Sequence, residues 1–457
     1  MSVNPHIFRE YDIRGVVADD LSGNVPESIG RAFATELRRR RDGAVGLTVV
    51  VGRDNRPSSP ELAEGIMRGI QAAGVNVIDV GTVPTPVLYY ATTHYETDGG
   101  LQITGSHNPP EYNGFKMVID GRAIWGDTIQ GLREIIESEA FERGSGNREV
   151  RDVLPDYIED VTSRFRLERP IKVVVDCGNG VGSLVAERLL EGIGADVVPL
   201  YCISDGTFPN HHPDPVVDEN LADLIARVRE EKADLGVAFD GDADRIGAVD
   251  ENGEIIRGDT LLLLYGLDVL EQRGPGQKLI FDVKCSQAVP EVFAEHGGEP
   301  IMWKTGHSLI KEKMREIGAP VAGELSGHIC FSDTFYGYDD APYAACRLVD
   351  LVARSDRPLS ERIAEFPAYV STPEIRVDVP EEEKFAIVER AVEHFKKDHE
   401  VIAVDGARVV FEDGWGLLRA SNTQPVLVLR FEARTPERLA DIRGILEGWL
   451  RDQGVHV

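Results

Sequence analysis

Three aspartates at alternate positions, Asp240-Gly-Asp242-Ala-Asp244-Arg245, directly follow the apolar run ADLGVAF. In an extended segment residues i, i+2 and i+4 point the same way, so three carboxylates can converge on one hard cation. Oxygen-only donors favour Mg²⁺ or Ca²⁺ over zinc or copper. With Glu251 these acids occupy positions 1, 3, 5 and 12 of an EF-hand loop. That motif fails because Arg245 stands where position 6 requires glycine, and a strand precedes the loop instead of a helix. The plain alternative is an acidic turn in an acidic protein. A buried strand before the acids and Arg245 beside them favour the metal, and Mg²⁺ leaves coordination positions for a phosphate oxygen.

Thr104-Gly-Ser106-His107-Asn108-Pro109-Pro110 follows a second apolar stretch, GGLQI. Gly105 permits a sharp turn, and the two prolines stiffen the loop after the serine. Ser106 can be a nucleophile, a helix cap or a turn residue, and this stretch alone favours the turn. His107 cannot readily serve as base for its immediate neighbour, so a Ser-His-Asp triad gains little support. Lys116, in EYNGFK, can reach back as acid, base or charge stabiliser. Arg419-Ala-Ser421-Asn422-Thr423-Gln424-Pro425 offers a guanidinium, hydroxyls and turning backbone N–H groups to a phosphate, or is an ordinary hairpin turn. Glu324 and Ser326, in GELSGH, can read sugar hydroxyls or cap a helix, and Lys304-Thr-Gly-His307 is similar but weaker. The adjacent His211-His212 point apart in most loops and read as structural.

These residues need elements to hold them. Three segments share a layout of apolar strand, polar loop, helix, glycine and second strand. They begin at LTVVVGRDNRPSS (47–59), IKVVVDCGNG (171–180) and KLIFDVKCS (278–286), and their helices fall near 61–73, 181–191 and 288–296. Such β-branched runs alternating with helices predict βαβ units around largely parallel sheets, with polar residues at the strands' C-terminal ends where ligands bind. The tail differs: a strand at 371–378, a helix at 381–398, strands at 401–411, 415–420 and 426–434, and a helix opened by Thr435-Pro436. The expected fold is α/β, with three related α/β domains carrying mixed sheets and a smaller C-terminal α+β domain. The seams give 1–149 with TGSHNPP, 150–254 with DGDADR, 255–366 with GELSGH and 367–457 with RASNTQP.

The 457 residues carry 49 Lys plus Arg against 78 Asp plus Glu, a formal net charge of −29. With no basic stripe to release counterions, nucleic acid is not an expected partner. The most apolar stretch, Leu261 to Leu270, is half the ~20 residues a spanning helix needs, so no membrane partner is expected either. The N-terminus lacks an apolar h-region, and five cysteines without a CxxC pair fit a reducing compartment, so a cytoplasmic location is expected.

In order along the chain, FREYDIRG, TGSHNPPEYNGFK, DGDADR, KTGH, GELSGH and RASNTQP resemble the signatures of the α-D-phosphohexomutase superfamily. The chain is most similar to the bacterial phosphomannomutase/phosphoglucomutase branch, from Phe8 to the final helix. The resemblance implies four domains around a central cleft and a phosphorylated Ser106. Asp240, Asp242 and Asp244 then hold Mg²⁺ with a phosphoserine oxygen. Lys116 is the better candidate for general acid/base, with His107, Arg245, His307 and Arg14 also at catalytic positions. Tyr11, Lys284, His307, Glu324, Ser326 and His328 fall at substrate positions, and Arg419, Ser421, Asn422 and Thr423 on the phosphate loop. The implied reaction interconverts hexose 1-phosphate and 6-phosphate of mannose or glucose through a 1,6-bisphosphate that turns over in the cleft. Glucose or mannose 1,6-bisphosphate is the expected activator, and a monomer or weak homodimer the expected assembly. Arg14, Lys116, Arg245, Lys284 and Arg419 are expected to make a local positive pocket. The rivals are phosphoglucosamine mutase, whose loop usually reads GEQSGH where this chain has Leu325, a Mg²⁺-dependent phosphosugar phosphatase, and a non-catalytic phosphosugar sensor.

Overall fold

The computed structural model describes residues 3–422 and 424–457. They divide into two compact units, Met1–Gly258 with Ser326–Glu361, and Asp259–Leu325 with Arg362–Val457.

In the first unit, strands Thr48–Arg53, Asn76–Thr82, Gly99–Ile103 and Arg148–Val150 run parallel, and Tyr112–Ile119 and Ile13–Val16 extend the sheet antiparallel. Thr48–Arg53 is buried at its four central residues because helices cover both faces, which is why its Val run does not alternate. Helix Ser59–Ala72 turns Leu62, Ile66 and Ile70 into that core. A second mixed sheet orders Ile255–Ile256, Ile246–Asp250, Leu235–Phe239, Lys172–Asp176 and Asp196–Leu200, the last three parallel.

In the second unit, Glu299–Trp303, Lys278–Asp282 and Val321–Gly323 pair in parallel. The helix Gly258–Arg273 buries the whole run Leu261–Leu270, so this is a core helix. The tail forms an antiparallel meander, Glu400–Ile402, Ala407–Phe411, Gly414–Ala420 and Val426–Ala433, backed by helices Lys384–Phe395 and Pro436–Asp452. Thr435 caps the last helix by accepting from the Arg438 amide, with Pro436 in its first turn, as the sequence predicts. The four-domain α/β architecture, three α/β domains and a smaller C-terminal one, is the predicted one.

Three elements depart from expectation. The strand predicted at 371–378 is two pieces, Val370–Ser371 and Ile375–Asp378, each paired antiparallel with Val426–Ala433, because Pro373 between them has no N–H to give the ladder. The strand predicted over 401–411 is two strands of a hairpin, because Asp405-Gly406 turns the chain with Gly406 at φ 105°. The helix predicted over 181–191 starts as a 3₁₀ turn, Val181–Leu184, whose first amide bonds the Gly241 carbonyl at 3.1 Å. Among the described residues no helix is long and apolar enough to cross a membrane.

Candidate active site

Parallel pairing of Thr48–Arg53 with Gly99–Ile103 makes the loops after them neighbours, since Arg53 stands opposite Ile103. The serine loop is the second of these. Ser106 is 2% exposed and sits at φ 49°, a left-handed conformation that a non-glycine residue adopts only when its surroundings impose it. Its amide donates to Thr104 Oγ1 at 2.8 Å, and its hydroxyl donates to Asp240 Oδ2 at 2.8 Å. Gly241 must be glycine because the Ser106 carbonyl lies where a Cβ would stand.

The three aspartates converge, though not by extension. Ala243 turns to φ 61° with its amide on the Asp240 carbonyl at 3.1 Å. The amides of Asp244 and Arg245 both donate to Asp240 Oδ1 at 3.1 Å. One oxygen of each carboxylate then lies within 4.8 Å of the others, and all three residues are fully buried. A bent loop, built around the first carboxylate, brings them together. Burial, with Asp242 and Asp244 adding to it, pushes the Asp240 carboxyl well above its ordinary range.

Lys116, on strand Tyr112–Ile119, answers this charge by donating to Asp242 Oδ2 at 2.7 Å and to Asp244 Oδ2. Burial alone would lower its pKa, but the two aspartates hold the ammonium well above its usual range. Thr85 also donates to Asp242 Oδ2, at 2.5 Å. The other oxygen, Asp242 Oδ1, is buried without a hydrogen-bond partner among the described residues. An orphaned oxygen in a cluster of hard donors fits a divalent cation such as Mg²⁺.

Around this core, Arg14 pairs with Asp12 at 2.5 Å, and Tyr11 and Arg245 are half-buried. Burial, then the charges of Arg245 and Arg14, push the His107 imidazole well below its ordinary pKa. Ser326 Oγ lies 2.9 Å from His328 Nδ1, and His328 Nε2 lies 3.4 Å from Asp244 Oδ1. Two residues of the GELSGH loop thus join the acidic cluster.

The second unit gathers the remaining sites. Glu324 is buried, its Oε1 accepting from the Gly306 amide at 2.6 Å, beside His307 at the start of helix His307–Ile317. Lys284 donates to Glu374 at 3.2 Å. Burial would lower its pKa, but Glu374 and Asp282 raise it. Arg419 Nε donates to Asp405 at 2.6 Å, Ser421 is buried and Asn422 half-buried. Thr423 lies outside the described residues. A bare positive pocket is therefore not what either unit presents: Arg14, Lys116, Lys284 and Arg419 are each held by a carboxylate. Sequence reasoning did not single out Thr85, Glu374 and Asp405, nor Asp54 and Arg56 in the loop beside Ser106. Only that loop carried a signal, as a polar run after a strand's C-terminal end.

Mixed sheets ending in a serine loop, an acidic loop and a cationic loop match a known set of domains. Phosphoglucomutase/phosphomannomutase alpha/beta/alpha domain I matches residues 5–143, domain II 155–253, domain III 257–369 and the C-terminal domain 374–446. The chain belongs to the phosphoglucomutase/phosphomannomutase family. It is 49% identical to a phosphomannomutase/phosphoglucomutase of Pseudomonas aeruginosa, over 97% of this chain and 95% of that one. A phosphoglucomutase of Neisseria meningitidis is 46% identical over 96% of this chain and 95% of its own length. The crystal structure of a family protein from Burkholderia thailandensis superposes with a TM-score of 0.91 at 46% identity, covering 99% of this chain and 98% of that one.

Proposed function

We propose that this chain interconverts the 1-phosphate and 6-phosphate of a hexose, mannose and/or glucose, through a phosphoserine at position 106 and a 1,6-bisphosphate. The observation that carries the reading is Ser106 Oγ at 2.8 Å from Asp240, at the edge of three converging carboxylates. Asp240, Asp242 and Asp244 would hold Mg²⁺ together with an oxygen of the phosphorylated serine. The ion, when bound, neutralises phosphoryl oxygen charge.

The free sugar hydroxyl attacks phosphorus and the bond to Ser106 Oγ breaks, giving the bisphosphate. After the sugar reorients, Ser106 Oγ attacks the other phosphate and the isomer leaves. Lys116 and His107 serve as proton carriers for the serine and sugar oxygens, the His107 ring having its Nδ1 3.2 Å from Ser106 Oγ although the two residues are adjacent in sequence, and Arg14, Arg245 and His307 steady the transferring charge. Lys284 and Tyr11 hold substrate, with Glu324, Ser326 and His328 reading the ring hydroxyls. Arg419, Ser421, Asn422 and Thr423 take the phosphate that is not reacting. Positioning and charge neutralisation supply most of the rate. In this reading the domains run 1–149, 150–254, 255–366 and 367–457, the protein works in the cytoplasm, and glucose or mannose 1,6-bisphosphate primes it.

Phosphorus NMR tests this with Mg²⁺, trace glucose 1,6-bisphosphate and separate tubes of mannose, glucose and glucosamine 1-phosphates. Conversion to a 6-phosphate signal is expected, fastest with mannose or glucose. Fastest conversion of the amino sugar would move the assignment to phosphoglucosamine mutase. Accumulating free phosphate would make the protein a phosphatase, and silence from folded protein would leave a sensor.

A further inference from the structure

The Ser106 loop is fastened from behind by a residue outside the acidic cluster. Arg56 is 1% exposed and lies in the loop between strand Thr48–Arg53 and helix Ser59–Ala72. A guanidinium has five N–H donors in a fixed plane, and here there are five contacts for them. Nε donates to Asp54 Oδ2 at 3.0 Å. Nη1 donates to the carbonyls of Pro109 at 2.5 Å and Tyr112 at 3.0 Å, and Nη2 to those of Ser106 at 2.7 Å and Asn108 at 2.6 Å. Asp54 completes the clamp by accepting from the Arg56 amide and the Gly105 amide, both at 3.1 Å.

Four carbonyls of one loop are thus drawn onto one cation. Because a trans peptide sets its N–H opposite its C=O, holding the Ser106 carbonyl on Arg56 turns the His107 N–H away from Arg56. The same grip opposes relaxation of Ser106 out of its left-handed conformation, which would carry Oγ off Asp240. Without the clamp the 106–107 peptide is free to rotate and bring a carbonyl oxygen, instead of an N–H, toward a phosphorylated serine.

We propose that Arg56 is a positioning residue for phosphoryl transfer, fixing the 106–107 peptide and the Ser106 rotation without touching substrate. This rests on the reading of Ser106 as the phosphoryl carrier. Lysine has three donors on one point and cannot span four carbonyls. Arg56→Lys keeps the charge beside Asp54 and is the first variant. Gly105→Ala is the second, since a Cβ there strikes the guanidinium and disturbs the clamp from the loop's side.

Both variants are compared with the wild type for kcat and KM per folded molecule, and for amide hydrogen exchange over 104–112 by mass spectrometry. A fall in kcat of about 10²-fold is expected from a misplaced nucleophile, with KM within about twofold. Exchange over 104–112 is expected to rise about tenfold while the rest of the unit stays protected. Unchanged kcat, or exchange rising throughout the unit in step with lost activity, would overturn the role. If the wild type itself converts no hexose phosphate, the functional reading fails, and the exchange pattern alone then decides whether Arg56 holds this loop.

Discussion

The two compact units handle charge in opposite ways. In the first, the groups proposed to act are carboxylates, Asp240, Asp242 and Asp244, fully buried and answered by the cation Lys116. In the second they are cations, Lys284 and Arg419, answered by Glu374 and Asp405. Each set carries an internal counter-ion, which under the proposed function must yield to a metal or a phosphate. The difference is in the depth of the counter-ions: the Lys116 side chain is 7% exposed, whereas Glu374 retains 27%. Buried charge is costly to leave unpaired, so errors in the first unit should abolish chemistry, while errors in the second should weaken binding.

The severest test of that contrast is in the first unit. Ser106→Ala and Asp240→Asn should each lower kcat on the order of 10³-fold or more, since each removes part of a group that acts as one. Chelation should abolish wild-type activity, and added Mg²⁺ should restore it. Activity persisting in chelator, or in Ser106→Ala, would break the comparison at its stronger side. Next, Arg419→Ala should raise KM for the hexose phosphate by about 10- to 100-fold through loss of a charge-assisted phosphate contact, with a smaller change in kcat. Steady-state kinetics decide it: a kcat collapse at constant KM would place Arg419 in the chemistry and erase the difference between the units.

The residues that were legible before the fold share two properties, a chemical type and a place directly after a strand. DGDADR and TGSHNPP were readable because their acids and serine lie close in sequence and follow apolar runs. Their geometry was not, since the aspartates meet through the turn at Ala243 and not by alternation along a strand. The counter-ions were hidden for a different reason. Glu374 meets Lys284 across 90 residues and Lys116 meets Asp242 across 126, distances over which no local pattern operates. The tail hairpin reads as one strand in the sequence because its turn, Asp405-Gly406, is short and flanked by apolar residues on both sides, and that turn carries the carboxylate holding Arg419.

A carboxylate outside the chemistry carries the contrast into pH. In the first unit Asp340 caps helix Ala341–Ala353 and accepts from Tyr157 at 2.9 Å, and burial pushes its pKa up to about 7 from an ordinary 3.8. A raised carboxyl binds its proton more tightly when folded. Its contribution to stability is therefore full below about pH 4 and is lost as pH rises through 7. Asp340→Asn should flatten this dependence, removing on the order of 2–3 kcal/mol of change between pH 4 and 7 in urea unfolding. An unaltered slope in the variant would show that Asp340 is ionised throughout.

Glu374 should behave inversely and more weakly. The Lys284 ammonium 3.2 Å away holds its carboxyl down to about 2 from an ordinary 4.5, against the opposing effect of burial. A depressed carboxyl stabilises the fold above pH 4.5, and that stability is lost as pH falls toward 2. Partial exposure reduces the gain to about 1–2 kcal/mol, so Glu374→Gln should unfold earlier in urea at pH 7 by that amount. The deficit should shrink as pH falls below 4.5, because the wild type there protonates the group that the variant lacks. The same variant releases Lys284 from its internal partner, so KM for the hexose phosphate should fall or hold while stability drops. A KM that instead rises together with the stability loss would mean that Glu374 holds Lys284 in its working position, and the second unit would then rely on its counter-ion as the first relies on Lys116.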